Sequence, residues 1–251
     1  MKSIKRTLSR PCFQFGLLLF LALGINPEGV VAAPLLGCLD PNGECPDLTA
    51  AVTEQRIVTK RFNRNSCAVI EGEVGGTGKR KLLRFSFTSP NTGAGDIIVG
   101  VPDGVLFEFN TCHGHPHFKE YADYRLWTMT GYNTWDDLRR QNPGALASEV
   151  LAAHPELKPE LGAKRGFCMV DVYHYDPSMG PGQARYDNCQ SNQGISVGWA
   201  DVYGYSLDGQ WIDITGVPSG SYKLEAEVNA EQVFEESNYE NNRMAVPVFI
   251  P

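Results

Sequence analysis

The residues best equipped for chemistry crowd into one stretch, Phe109-Asn110-Thr111-Cys112-His113-Gly114-His115-Pro116-His117. The chain has five histidines, and three of them stand here at alternate positions, directly after a cysteine. Neutral imidazole is the commonest side-chain metal ligand and suits copper, zinc, iron and nickel. On a flat strand the first and last of the three would face the same way but lie roughly 13 Å apart. Three ring nitrogens so placed could not all sit about 2 Å from one ion. Gly114 and Pro116, between the histidines, are the residue types that let a strand bulge or curl. The pattern predicts a bent segment wrapped around one transition-metal ion such as copper, with no thiolate needed. The competing reading is three solvated loop histidines.

Three further stretches carry reactive side chains: Lys164-Arg-Gly-Phe-Cys168, Gly198-Trp-Ala-Asp-Val-Tyr203-Gly204 and Gln210-Trp-Ile-Asp-Ile-Thr215. Each is ambiguous by itself. A lysine such as Lys164 is ordinarily a solvated surface residue. Tyr203 reads as a sheet aromatic. Asp201, two positions before it and so on the same strand face, reads as a loop or edge carboxylate.

The elements that must position these groups are mostly strands. Residues 34–56 look loop-like, with a turn at Pro41-Asn42-Gly43. From Ile57 onward short β segments dominate: Cys67-Ala-Val-Ile, Leu82-Leu-Arg-Phe-Ser-Phe and Asp96-Ile-Ile-Val, separated by Gly75–Gly78 and Asn91–Gly93 as turns. In Tyr222-Lys-Leu-Glu-Ala-Glu-Val-Asn229 apolar and polar residues alternate, the mark of a half-buried strand. Ala245-Val-Pro-Val-Phe-Ile repeats the pattern, and Pro247 implies an edge strand. Residues 133–161 differ: Asn133-Thr134 can cap a helix through Trp135 to Arg140, Pro143 stops it, and Ala145–Ala153 reads as a second helix. The fold class expected is mainly β, an antiparallel sandwich with long loops and a helical insertion at 133–161, too small for its own core, that acts as a lid or flap.

Composition narrows the compartment. Lys2, Lys5, Arg6 and Arg10 precede an apolar run from Phe13 to Ile25, and Val31-Ala32-Ala33 offers a cleavage site, so residues 1–33 read as a signal peptide. The run is too short to span a membrane. Leu35-Leu36-Gly37-Cys38 resembles a lipobox, which makes Cys38 a candidate lipid anchor. Losing residues 1–33 takes the formal charge from −7 to −10. So acidic a protein is a poor partner for nucleic acid and a mild attractor of cationic amines. Seven cysteines fall to six when Cys12 is removed with the signal, an even number suited to disulfides in an exported protein.

Taken together and in order, the stretches resemble the catalytic domain of the lysyl oxidase family. The resemblance runs from Leu82-Leu83-Arg84-Phe85 through Cys112-His-Gly-His-Pro-His, Lys164-Arg-Gly-Phe-Cys, Gln193-Gly194, Asp201-Val-Tyr203-Gly and Gln210-Trp-Ile-Asp-Ile-Thr to Glu236-Ser-Asn-Tyr-Glu-Asn-Asn242. It covers roughly residues 60–245, within a domain read as 57–251. It implies a copper amine oxidase with His113, His115 and His117 as copper ligands. It also implies a self-made cofactor, lysine tyrosylquinone, from Lys164 and Tyr203, with Asp201 as the candidate base. Substrates would be primary amines, peptidyl lysine or small ones, oxidised by O₂ to aldehydes with release of hydrogen peroxide and ammonia. The resemblance pairs Cys112 with Cys189, leaving Cys168 for Cys67 and Cys38 for Cys45. It departs at Trp199 and Gly209, where the family has a disulfide, and at the insertion, which lengthens the loop before Lys164 and could cover the site. The alternative is a non-catalytic exported β-sandwich module that binds metal.

Overall fold

The computed structural model describes residues 42–102, 104, 106–110, 112, 114–162 and 167–251, and of Asn110 and His115 the backbone alone. In chain order its elements are β1 (Ala51–Phe62), α1 (Cys67–Ile70), β2 (Gly78–Pro90), β3 (Ile97–Gly100), β4 (Phe107–Asn110), β5 (His115–Phe118), β6 (Ala122–Thr128) and α2 (Met129–Gln141). There follow α3 (Ala147–Ala153), β7 (Glu160–Leu161), β8 (Tyr173–His174), β9 (Gln193–Ile195), β10 (Trp199–Tyr203), β11 (Trp211–Asp213), β12 (Gly220–Val228) and β13 (Arg243–Ile250). One sheet has the order β1-β2-β10-β8, with β11 also on β2; the other runs β13-β12-β6-β7. β3 with β9 and β4 with β5 make two small ribbons. Every pairing between these strands is antiparallel.

Period-two alternation explains how the two sheets meet. Leu83, Phe85 and Phe87 of β2 share one buried core with Tyr124 and Leu126 of β6 and Leu224, Ala226 and Val228 of β12. The Phe85 and Tyr124 rings meet edge to face at 4.8 Å. This is the antiparallel sandwich expected. Pro247 lies on β13, which among the described residues pairs with β12 alone, so it is an edge residue as its missing N–H demands.

The other face of β12 is not solvated. Glu225 and Glu227 are 0% and 2% exposed. Helix α2 lies over that face, bringing Trp135 onto Trp127 at 5.2 Å. Glu225 accepts the indole N–H groups of Trp127 (2.5 Å) and Trp135 (2.9 Å). Glu227 accepts from Arg125 (2.6 Å) and Arg139 (2.7 Å). Buried carboxylates are tolerated only when paired and hydrogen-bonded in this way.

Three boundaries differ from expectation. β1 begins at Ala51, inside the stretch that reads as loop; most of it is exposed, so no apolar alternation marks it, and its regularity comes from register with β2. Cys67–Ile70 is a helical turn instead of a strand, the ordinary ambiguity of a four-residue apolar run. α2 starts at Met129, because Thr128 caps it by accepting the Gly131 N–H at 3.1 Å. Among the described residues no helix is long and apolar enough to cross a membrane. The proposed signal peptide and Cys38 lie outside the described residues.

Candidate active site

His115, Pro116 and His117 lie on the second arm of a hairpin. β4 and β5 pair Glu108 with His117 and Asn110 with His115. Gly114 sits in the turn at φ +73°, a left-handed conformation that glycine adopts without strain. The bend falls at the turn, and the segment from His115 through Pro116 to Phe118 is ordinary strand. His117 is 6% exposed. His113 and the His115 side chain lie outside the described residues.

At the end of β5 the chain meets the segment that follows Lys164. Phe118 donates its N–H to the Phe167 carbonyl at 2.8 Å and accepts the Phe167 N–H at 3.4 Å. The next residue, Cys168, holds Tyr203 of β10: its N–H donates to the Tyr203 hydroxyl at 3.1 Å, and that hydroxyl donates to the Cys168 carbonyl at 3.0 Å. The Tyr203 ring is caged by Phe167 at 5.1 Å, edge on, and by Phe87 and Tyr121, each at 6.4 Å. Tyr203 is 7% exposed.

Asp201 is a buried carboxylate of the sheet interior, 1% exposed, and not a loop or edge residue. It pairs with Ser89 of β2, and its Oδ1 accepts the Val202 N–H at 2.9 Å. Burial first, then the negative charge of Asp201, push the Tyr203 hydroxyl well above the ordinary phenol range. The same two causes, in the same order, act on Tyr121. Tyr203 thus keeps its proton, for which the Cys168 carbonyl and the Asp201 carboxylate are rival acceptors. Tyr121 and Tyr124 are part of this polar cluster, and their sequence shows them only as aromatic residues near a strand.

The described cysteines correct the expected connectivity. Cys67 is bonded to Cys112 and Cys168 to Cys189, with Cα separations of 5.8 and 5.3 Å. Cys112 therefore does not pair with Cys189, nor Cys168 with Cys67. The reason is positional: bonding of Phe167 to β5 and of Met169 to β9 (Gly194 N–H to the Met169 carbonyl, 2.9 Å) leaves Cys168 beside Cys189. Cys45 is also disulfide-bonded, and the Cys38 expected for it lies outside the described residues. Cys67, Glu71 and Cys112 cluster closely enough to suggest a metal site. Their sulfurs are joined to each other, however, and a disulfide offers no thiolate.

A cleft of about 510 Å³ opens beside this centre. Phe167, Tyr124 and Gly162 form part of its wall, with Glu108, Asp123 and Glu231 around them. Lys119 and Arg125 also reach it, and Arg125 is already paired with Asp123 and Glu227. Ser148 and Leu151 of α3 border the same cleft, so the insertion supplies one wall of it while α2 covers the outer face of the sheet.

Residues 147–249 match the family model described as lysyl oxidase. Over these residues the chain is similar to the lysyl oxidase family. It is 32% identical to human protein-lysine 6-oxidase over 165 residues, which is 65% of this chain and 32% of that protein. It is 32% identical to chicken (Gallus gallus) protein-lysine 6-oxidase over 167 residues, 65% and 32% of the two chains. With chicken lysyl oxidase homolog 2 the identity is 31% over 171 residues, 67% of this chain and 18% of the relative. The chain thus spans about a third of the first of these relatives. The matched model includes Lys164, Asp201 and Tyr203 and begins after the histidine stretch. Lys164 itself lies outside the described residues.

Proposed function

We propose that this chain is an exported copper-dependent amine oxidase of lysyl oxidase type. It would oxidatively deaminate primary amines, peptidyl lysine or small ones, to aldehydes, with O₂ reduced to hydrogen peroxide and ammonia released. Its cofactor would be lysine tyrosylquinone made from Lys164 and Tyr203. The observation that carries this reading is the grip of Cys168 on the Tyr203 hydroxyl. Lys164 stands four residues before Cys168, and four residues of chain reach at most about 14 Å. The tyrosine is therefore tied to the segment that bears the lysine.

The donor set fits copper: three imidazoles at alternate positions, one of them, His117, sheltered beside the Phe118–Phe167 bridge. Copper would supply one-electron chemistry with O₂ during cofactor assembly, and the quinone an electrophilic carbonyl and an electron sink for the amine. The chain's own groups would do the rest. His113, His115 and His117 would hold the metal. Asp201, buried on the face of Tyr203, would take the proton from the α-carbon of the bound amine. Phe167, Phe87 and Tyr121 exclude water from the ring. Glu108 and Glu231 would give the cleft carboxylates for an ammonium substrate. Export agrees with the reading of residues 1–33 as a signal and with two disulfides among the described residues.

Peptide mass spectrometry on protein expressed with copper in air tests this. A cross-link between the Lys164 and Tyr203 peptides, with a carbonyl that reacts with phenylhydrazine, is expected. Both peptides unmodified in copper-loaded, aerated protein would leave a metal-binding module without catalysis.

A further inference from the structure

We propose that Gln193 is a positioning residue for cofactor formation: it fixes the Cys168 peptide, which in turn fixes the Tyr203 hydroxyl. The proposal rests on the reading of Tyr203 as the cofactor precursor. Gln193 is 0% exposed at the start of β9. Its Nε2 donates to the Cys189 carbonyl at 2.8 Å, and its Oε1 accepts the Met169 N–H at 3.1 Å. Cys189 is the disulfide partner of Cys168, and Met169 is its neighbour in sequence. One amide side chain therefore braces both ends of the disulfide that anchors the clamp.

The brace needs a donor and an acceptor on one side chain of this length, which glutamine provides. Glutamate keeps the acceptor for Met169 but faces the Cys189 carbonyl with a second oxygen. Methionine, of similar size, makes neither bond. The neighbouring Gly194 is equally constrained: a Cβ there would lie 2.4 Å from the Ile97 carbonyl oxygen and 2.7 Å from the Tyr186 ring. β9 is thereby packed closely against β3, and Gln193 is held at a fixed place along it. Loosening the brace frees the Cys168 peptide, and with it the Tyr203 hydroxyl it grips.

The first test uses the full chain without copper and needs no cofactor. Tyrosine nitration by tetranitromethane is quantified peptide by peptide in wild type, Gln193→Glu and Gln193→Met. Tyr203 nitration should rise about fivefold for each hydrogen bond lost, and so more in Gln193→Met than in Gln193→Glu. Tyr121 and Tyr124, buried in the same core but not held by Cys168, should stay at wild-type levels. An equal rise at all three would mean general loosening and overturn the proposal, as would no rise at Tyr203. Gln193→Glu, which keeps one bond, decides the matter if Gln193→Met does not fold.

The second test adds copper and air and counts Lys164–Tyr203 cross-linked peptide. A yield at least about fivefold lower in Gln193→Met is expected from the lost bonds. Wild type that forms no cross-link would sink the cofactor reading itself. Wild type and variant cross-linking equally well would sink the role of Gln193 alone.

Discussion

Glu236 accepts the peptide N–H of Leu48 at 2.5 Å, although 188 residues separate them in sequence. Its other oxygen takes the side-chain amides of Asn229 (2.6 Å) and Asn242 (2.7 Å). One buried carboxylate thus ties the segment before β1 to the turn that joins β12 and β13. Burial outweighs those hydrogen bonds and pushes its pKa up to about 7. A carboxyl whose folded pKa lies above its unfolded value stabilises the fold most below the unfolded value, and that contribution is lost as pH rises through 7. The loss should approach about 3 kcal/mol between pH 4.5 and pH 8. Urea unfolding across that range should show the decline in wild type and lose this part of it in Glu236→Gln. A Gln variant with an unchanged slope would assign the decline to other groups.

Trp135 should be the anchor of the helical insertion. It is fully buried, stacked on Trp127, and donates to Glu225. Trp135→Ala should cost about 3–5 kcal/mol through the cavity it leaves. Trp135→Phe, which keeps the ring but removes one donor from a buried carboxylate, should cost about 1–3 kcal/mol. Both are read by urea unfolding. Because α2 lies on the outer face, cross-link yield in folded Trp135→Phe should match wild type; a fall would make α2 part of the site.

How much of this was legible in sequence varies with the kind of signal. The alternation in β12 and the missing N–H of Pro247 are local, so the inner face and the edge of the β13-β12-β6-β7 sheet could be read directly. Burial of Glu225 and Glu227 could not be read, because it depends on a helix about 90 residues earlier that brings Trp135 to meet them. β1 was hidden for a similar reason: an exposed strand has no apolar period, and β2 gives it its shape. In the site, residue types and order pointed to Tyr203 and Asp201. What sequence could not supply was the Cys168 grip, since a backbone contact leaves no trace in residue identity. The expected Cys112–Cys189 and Cys168–Cys67 pairings failed on the same ground, for proximity of Cys168 to Cys189 follows from how Phe167 and Met169 pair with two different strands.

Copper binding should depend on His117. After exhaustive dialysis, copper content measured by mass spectrometry of the metal should drop from about one ion per chain to near none in His117→Ala, as expected when one of three ligands of a single ion is lost. His154→Ala is the control. His154 lies at the end of α3, bonded to Glu156 at 3.1 Å, and its loss should leave copper unchanged. A His117→Ala protein that keeps full copper would remove this histidine from the ligand set.

Asp201→Asn separates cofactor assembly from turnover. Asparagine keeps an oxygen that can accept the Val202 N–H but cannot take up a proton as a carboxylate does. If Asp201 is the base, the cross-link should still form while amine turnover falls about 10²- to 10⁴-fold. Hydrogen peroxide release, divided by the amount of phenylhydrazine-reactive carbonyl, gives the rate per assembled cofactor. The substitution also removes the charge that raises the Tyr203 and Tyr121 hydroxyls, so both should ionise at lower pH than in wild type. A normal rate per carbonyl with little carbonyl formed would move Asp201 from the amine's proton to the making of the cofactor. A normal rate with normal carbonyl would leave the base elsewhere among the groups that line the cleft.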